Sequence, residues 1–312
     1  MPESAAQRPN FVGMRHNDRQ SYLWVEFTHE HATMRGLVSR MSEFKIDTSH
    51  CTIAVEKSAG TGLPILFIHG NSSCKEVFRN QVRGEIGSTF HCIAMDLPGH
   101  GNSGNAKNPE QTYTMRGYAD VALEVMEALR IEAFAVLGWS LGGHIGIEMV
   151  SRSDRINGLL ISGTPPISKD PADMANAFLP SEHMAFTGQE TLTDEQADSY
   201  AHATCGSNAR YEEFLGDAVR RTDGRARRIM MEAAMRGEGA DQRQVVEHDP
   251  TLLAIVNGAD EPMVNNTYLK LISYKNLWES KIHLIPDTGH APFWESPDEF
   301  NEILNRFMTD LS

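Results

Sequence analysis

The sequence predicts an α/β fold: a mostly parallel central sheet flanked by helices, with a helical cap inserted between the later strands. Short apolar runs alternate with longer amphipathic stretches, and the runs read as strands buried on both faces. One long interval late in the chain carries helical patterns and no strand pattern. Composition agrees, because 312 residues with 40% hydrophobic, 22% charged and 4 cysteines can bury a large core, which excludes disordered, collagenous and disulfide-knotted chains.

Before Met41 clear periodicity is missing. Residues 1–40 therefore read as an N-terminal extension, either mobile or an artefact of taking Met1 as the start; Met34 and Met41 are later starts, and this second reading is preferred. Residues 43–47 and 52–57 form a hairpin pattern turned by Thr48, Ser49 and His50. Further strand runs follow at 63–68, 91–95, 133–137, 158–162, 252–257 and 282–285, with helical patterns at 116–130 and 141–151. The C-terminal helix opens with Ser296 as cap, Pro297 in the first turn and Glu299 closing a capping box. Phe300, Ile303, Leu304, Phe307 and Met308 then share one face, which should pack on the sheet.

The alternation stops between Pro165 and Pro250. A gap of this length is more than a loop. The core is expected over 41–165 and 250–312, and the cap over 166–249, laid across the strand ends where open parallel sheets bind ligands. Met174, Met184, Met230, Met231 and Met235 in the cap suit an adaptable apolar pocket, although any single one serves more often as packing between cap and body.

Net charge is 28 − 42 = −14, which repels nucleic acid and anionic membrane and favours a small or neutral ligand. Cys51, Cys74, Cys92 and Cys205 contain no C-x-x-C pair, as reduced cytoplasmic thiols would, and none is assigned a metal. The first ten residues lack a secretory pattern, and no uncharged apolar run approaches the ~20 residues of a membrane span, so a cytoplasmic location is expected.

Gly138-Trp139-Ser140-Leu141-Gly142 matches G-x-S-x-G, with a strand running in and a helix running out. Small residues let the chain turn sharply and hold the serine strained, with Oγ exposed above the sheet. A serine hydroxyl needs a base and an orienting carboxylate. His290, between the last strand and the last helix, is placed to be the base; His69, His100 and His144 are its rivals. The acid is one of two neighbours, Asp260 or Glu261, since adjacent side chains point different ways. After the 63–68 strand, His69-Gly70-Asn71-Ser72 offers the Asn71 N–H to pair with that of Leu141 as an oxyanion hole. The Asn71 side chain, Ser72 and Trp139 are then expected to face substrate.

Three other patterns are set aside. Gly99-His100-Gly101-Asn102-Ser103-Gly104 spells G-x-G-x-x-G, but Pro98 precedes it and a polar loop follows where a helix should open. His29-Glu30-His31 lacks the further ligands of a zinc site. Arg220, Arg221, Arg225, Arg227 and Arg228, on so acidic a chain, suit internal salt bridges better than phosphate.

Ile68-His69-Gly70-Asn71-Ser72-Ser73, Asp96-Leu97-Pro98-Gly99-His100-Gly101 and Gly138-Trp139-Ser140-Leu141-Gly142-Gly143-His144 resemble the α/β-hydrolase fold. The closer resemblance is to the metal-independent N-acyl-homoserine lactone lactonases of the AidH type. It is carried by Gly84-Glu85-Ile86-Gly87, His144-Ile145-Gly146-Ile147-Glu148-Met149, Asn276-Leu277-Trp278-Glu279 and the run from Arg221 through Asp223 and Arg225 to Met230. It extends from about Met41 to the C-terminus, with 169–186 the least similar part. Residue by residue it implies Ser140 as nucleophile, His290 as base and Glu261, three past the glycine of Asn257-Gly258, as acid, with Asp260 in reserve. It also implies substrate hydrogen bonds from Tyr200 and Asn71, ring opening of acylated lactones, and no metal or organic cofactor. A carboxylesterase or C–C bond hydrolase, or a hydrolase-like lactone receptor, are the alternative readings.

Overall fold

The computed structural model describes residues 42–206 and 208–312; the extension at 1–40, with His29 and His31, lies outside the described residues. Eight strands form one sheet: β1 (Ser42–Asp47), β2 (Thr52–Lys57), β3 (Gly62–Ile68), β4 (Phe90–Met95), β5 (Phe134–Trp139), β6 (Ile156–Ser162), β7 (Leu252–Gly258) and β8 (His283–Ile285). Their order is β1-β2-β4-β3-β5-β6-β7-β8. β1 and β2 pair antiparallel, as does β2 with β4, and every later pairing is parallel. The continuous apolar runs follow from this arrangement, because helices cover both faces and bury residues 65–68, 92–95, 134–139, 158–162 and 253–258.

On one face the helices Met115–Ala128 and Leu141–Val150 bury Tyr118, Val121, Val125, Ile145 and Met149. On the other, Phe78, Phe293, Phe300, Leu304 and Phe307 pack together, so the C-terminal helix Pro297–Asp310 docks by the expected stripe. Its expected capping box does not form. A short helix, Pro292–Glu295, runs directly into it, and Ser296 serves as the joint: its N–H donates to the Pro292 carbonyl (2.9 Å), its carbonyl accepts from Phe300 (3.1 Å), and its side chain makes no cap bond.

Between β6 and β7 lie the helices Pro171–Ala177, Asp194–Thr204, Glu213–Arg221, Gly224–Met235 and Gln242–His248, with a 3₁₀ segment at Glu182–Gly188. A capping box does form here, with Thr193 and Gln196 satisfying each other's backbone at the start of Asp194–Thr204. This helical layer is fastened over the loops after β3 and β4. Asn71 donates to the Thr187 carbonyl (2.9 Å), Arg227 donates to Ser72 Oγ (3.1 Å), and the Asp223 N–H donates to the Gly99 carbonyl (2.8 Å). No helix among the described residues is long and apolar enough to cross a membrane.

The G-x-G-x-x-G loop wraps a carboxylate of its own chain. Asp96, at the end of β4, accepts from the N–H groups of Lys75 (2.7 Å) and Asn102 (2.8 Å) and pairs with Lys75 Nζ (3.0 Å). His69 ties the neighbouring strand ends: Nδ1–H donates to the Gly70 carbonyl (2.7 Å), and Nε2 accepts from the Leu97 N–H (3.0 Å). A proton on Nε2 would break the second bond, and burial holds this imidazole down at about 4. His100, also fully buried, is lowered to about 3.

Both histidines take up protons more readily unfolded, near 6.5, than folded, so their contribution is complete above pH 6.5 and drains away as the pH falls towards 4. Urea unfolding is expected to show a loss on the order of 4 kcal/mol between pH 6.5 and 5 from the pair. A stability flat across that window would refute the assignment.

Candidate active site

Ser140 sits at the turn between β5 and the helix Leu141–Val150 with φ 53° and ψ −117°, the strained geometry expected of it. The turn is pinned by the Ser140 N–H donating to the Ser162 carbonyl (2.8 Å) and by Thr164 Oγ1 donating to the Ser140 carbonyl (2.8 Å). At Gly142 any side chain is excluded, because a Cβ would fall 2.0 Å from the Ile68 carbonyl oxygen at the end of β3. This close approach brings the first N–H groups of the helix beside the His69-Gly70-Asn71 loop. Among the described residues, neither the Leu141 nor the Asn71 N–H is bonded to a protein acceptor. Two free donors, Leu141 at a helix N-terminus and Asn71 in the facing loop, can hold a developing oxyanion.

His290 follows β8 in an ordered loop. Its Nδ1 lies 2.9 Å from both Glu261 oxygens, and both side chains are buried. Glu261 Oε1 also accepts from the N–H groups of Met263 (2.9 Å) and Val264 (3.3 Å), which fixes the carboxylate plane. Asp260 is exposed instead and lines a cleft of about 790 Å³ on the other side of His290, which borders both spaces. Of these neighbours, Glu261 reaches the histidine and Asp260 does not.

Ser140, Leu141, Asn71, Tyr200 and His290 converge on one cavity of about 870 Å³. Its remaining lining is largely apolar and includes Met174, Met184, Met230, Met231 and Met235 of the helical layer. Tyr200 is 2% exposed, and burial pushes its phenol up, against the opposing pull of the Arg227 guanidinium. Of the rivals to His290, His69 and His100 are structural, whereas His144 lines the same cavity.

Two of the residues expected at the substrate stand behind the cavity wall. Trp139 is 1% exposed and lies outside the cavity lining; its indole N–H donates to the His290 carbonyl (2.8 Å), and its ring stands 5.7 Å from the imidazole. Ser72 is likewise buried behind the wall, with Oγ donating to Asn71 Oδ1 (3.2 Å) and accepting from Arg227. Both residues support the groups that line the cavity.

Two other supports escaped sequence reasoning. Glu295 accepts from the N–H groups of Gly289 (2.8 Å) and Ala291 (3.1 Å), bracketing His290, while burial raises its carboxyl above the usual range. Arg227 is buried yet faces no carboxylate directly; it donates to the carbonyls of Gln189 (2.7 Å) and Glu190 (3.1 Å) and to Ser72 Oγ. The other clustered arginines are neutralised locally: Arg220 by Asp194 and Asp198, Arg225 by Asp223, Arg228 by Glu190 and Glu232. Arg221 bonds loop oxygens of Gly99, Ser103 and Asn105. Nothing in the spacing of Glu295 or Arg227 marks them, because their partners are set by the fold.

The sequence profile of the alpha/beta hydrolase family matches residues 65–303. Protein PHYLLO, chloroplastic, of Arabidopsis thaliana is 23% identical over 89% of this chain, which spans 17% of that longer protein. The AB hydrolase superfamily protein YisY of Bacillus subtilis is 23% identical over 83% of this chain and 96% of its own length. Crystal structures of the N-acyl homoserine lactonase AidH are far more similar. The complex of a mutant with N-hexanoyl homoserine shares 46% identity over 88% of this chain and 98% of that one, with a TM-score of 0.85. The N-butanoyl homoserine complex shares 46% identity with a TM-score of 0.84, covering 87% and 97%. This chain therefore belongs to the alpha/beta hydrolase family and, within it, to the family of the lactonase AidH.

Proposed function

We propose that this protein opens the lactone ring of N-acyl homoserine lactones, releasing the N-acyl homoserine. The observation that carries the reading is the 46% identity, over nearly its full length, to a lactonase whose structures hold N-hexanoyl and N-butanoyl homoserine. The predominantly apolar cavity beside Ser140 supports it, since an acyl tail gains at most ~0.8 kcal/mol per buried CH₂. The helical insertion, 166–249, acts as the cap that supplies this surface. Four free thiols fit a cytoplasmic setting, where a small diffusible lactone is the partner.

In this mechanism His290 Nε2 takes the proton as Ser140 Oγ attacks the lactone carbonyl carbon. The N–H groups of Leu141 and Asn71 hold the oxyanion, and Glu261 keeps the Nδ1–H tautomer and stabilises the imidazolium. Collapse breaks the ring C–O bond, and His290 returns the proton to the departing alkoxide. The leaving alcohol stays tethered in the acyl-enzyme and can close the ring again, so net hydrolysis requires water, deprotonated by His290, to attack first. The Asn71 side chain and Tyr200 contact the bound lactone.

Ring opening, followed as the gain of one water by mass, is expected to survive EDTA and to vanish in Ser140→Ala. Hydrolysis of aryl esters without opening of any acyl homoserine lactone would return the protein to the general esterases. Glu261→Gln should lower kcat by about 10³–10⁴, and Asp260→Asn by no more than about twofold; the reverse order would reject the acid assignment. Arg227→Met removes the donor shared by Ser72 and two cap carbonyls. It is expected to cost about 1–3 kcal/mol in urea unfolding and to lower kcat/KM roughly tenfold through Asn71; unchanged kinetics would confine Arg227 to stability.

A further inference from the structure

Beyond the catalytic groups, the cavity wall carries one polar pair contributed by both layers. His144 lies in the first turn of the helix Leu141–Val150, where its N–H donates to the Ser140 carbonyl (3.3 Å), and both residues line the cavity. Gln242 opens the cap helix Gln242–His248. Both line the cavity, and His144 Nδ1 meets Gln242 Oε1 at 2.8 Å. Around them stand Met230, Ile167 and Phe178, whose ring centroid is 6.4 Å from that of His144. A carboxamide oxygen only accepts, so Nδ1 carries the proton and Nε2 presents a lone pair. Among the described residues Nε2 has no protein partner, and it is not sealed from the cavity. Burial, with the nearby His290 adding to it, lowers this imidazole below its ordinary value, so the ring is neutral at pH 7 and accepts through Nε2.

We propose that His144, oriented by Gln242, reads the acyl chain by accepting a hydrogen bond from a hydroxyl on its third carbon, so that 3-hydroxyacyl homoserine lactones are preferred to their 3-oxo counterparts. The proposal rests on the lactonase reading of this site. In such a substrate the third acyl carbon lies five bonds from the carbonyl that Ser140 attacks, roughly 6 Å when extended at ordinary bond lengths. One helical turn, about 5.4 Å, separates Ser140 from His144. A hydroxyl donates into the lone pair; a keto oxygen would set acceptor against acceptor. An unsubstituted chain falls between, leaving Nε2 without a partner in an apolar wall.

The test compares kcat/KM for hexanoyl, 3-hydroxyhexanoyl and 3-oxohexanoyl homoserine lactone, equal in chain length, on the wild type, His144→Phe and Gln242→Leu, each checked for folding by thermal unfolding. The wild type is expected to favour the 3-hydroxy over the 3-oxo substrate about tenfold. His144→Phe should bring that ratio close to one. Gln242→Leu, which keeps the ring but frees its tautomer, should reduce it several-fold, and this variant decides the matter if the other does not fold. A wild-type ratio at or below one, or a ratio unchanged in a folded variant, overturns the proposal. Equal turnover of all three lactones overturns it while leaving the lactonase reading intact, and no turnover of any lactone overturns both.

Discussion

The helix that follows Ser140 enters so close beneath the end of β3 that only a glycine fits at position 142, where a Cβ would stand 2.0 Å from the Ile68 carbonyl oxygen. The parallel register of β3 and β5, which sets Ile68 opposite Gly138, makes this approach possible. From it follow the strained Ser140 backbone and the nearness of Leu141 to the loop that carries Asn71. A side chain at 142 would push the helix away from the end of β3. The nucleophile and the oxyanion site are therefore one backbone feature, and the side chains around them adapt to it.

His290 is held by a different principle, enclosure by several weak partners. Glu261 takes its ring nitrogen, Trp139 its carbonyl, and Glu295 the N–H groups on either side. A loop between a three-residue strand and a four-residue helix has little intrinsic stiffness. Each of these bonds contributes only about 0.5–1.5 kcal/mol net, yet together they leave the imidazole a single orientation. The proposed mechanism asks the base for two proton transfers in each direction, and a loop free to swing would lose the alignment they need.

Local chemistry made the fold and the places of Ser140 and His290 in it legible. Strands covered on both faces need unbroken apolar runs, and the Ser140 turn needs small residues at fixed offsets; His290 was found from its place between the last strand and helix. The failures share one cause. Trp139 sits beside Ser140 in sequence, but its indole is spent on a carbonyl 151 residues away, and Ser72 is engaged by Arg227 at a separation of 155. The Ser296 capping box failed because a neighbouring helix ends where this one begins. Asp260 and Glu261 look equivalent as adjacent carboxylates, and only the resemblance favoured Glu261 in the sequence; the fold brings that same residue to His290. Partners brought together by tertiary packing leave no periodicity to read.

Arg227 shows how the cap and the oxyanion loop become a single mechanical unit. A buried guanidinium without a direct carboxylate is costly unless its donors are filled, and here the acceptors come from both layers: cap carbonyls at Gln189 and Glu190, and Ser72 of the loop. Ser72 passes the constraint to Asn71, whose amide returns to the cap at Thr187. Displacing the cap would strand this charge, so its seating and the geometry of the oxyanion donors change together. The methionines further along the cavity make no such polar commitments and can repack around chains of different length. The same helical layer thus ties down the Ser140 end of the cavity and leaves the other end adaptable.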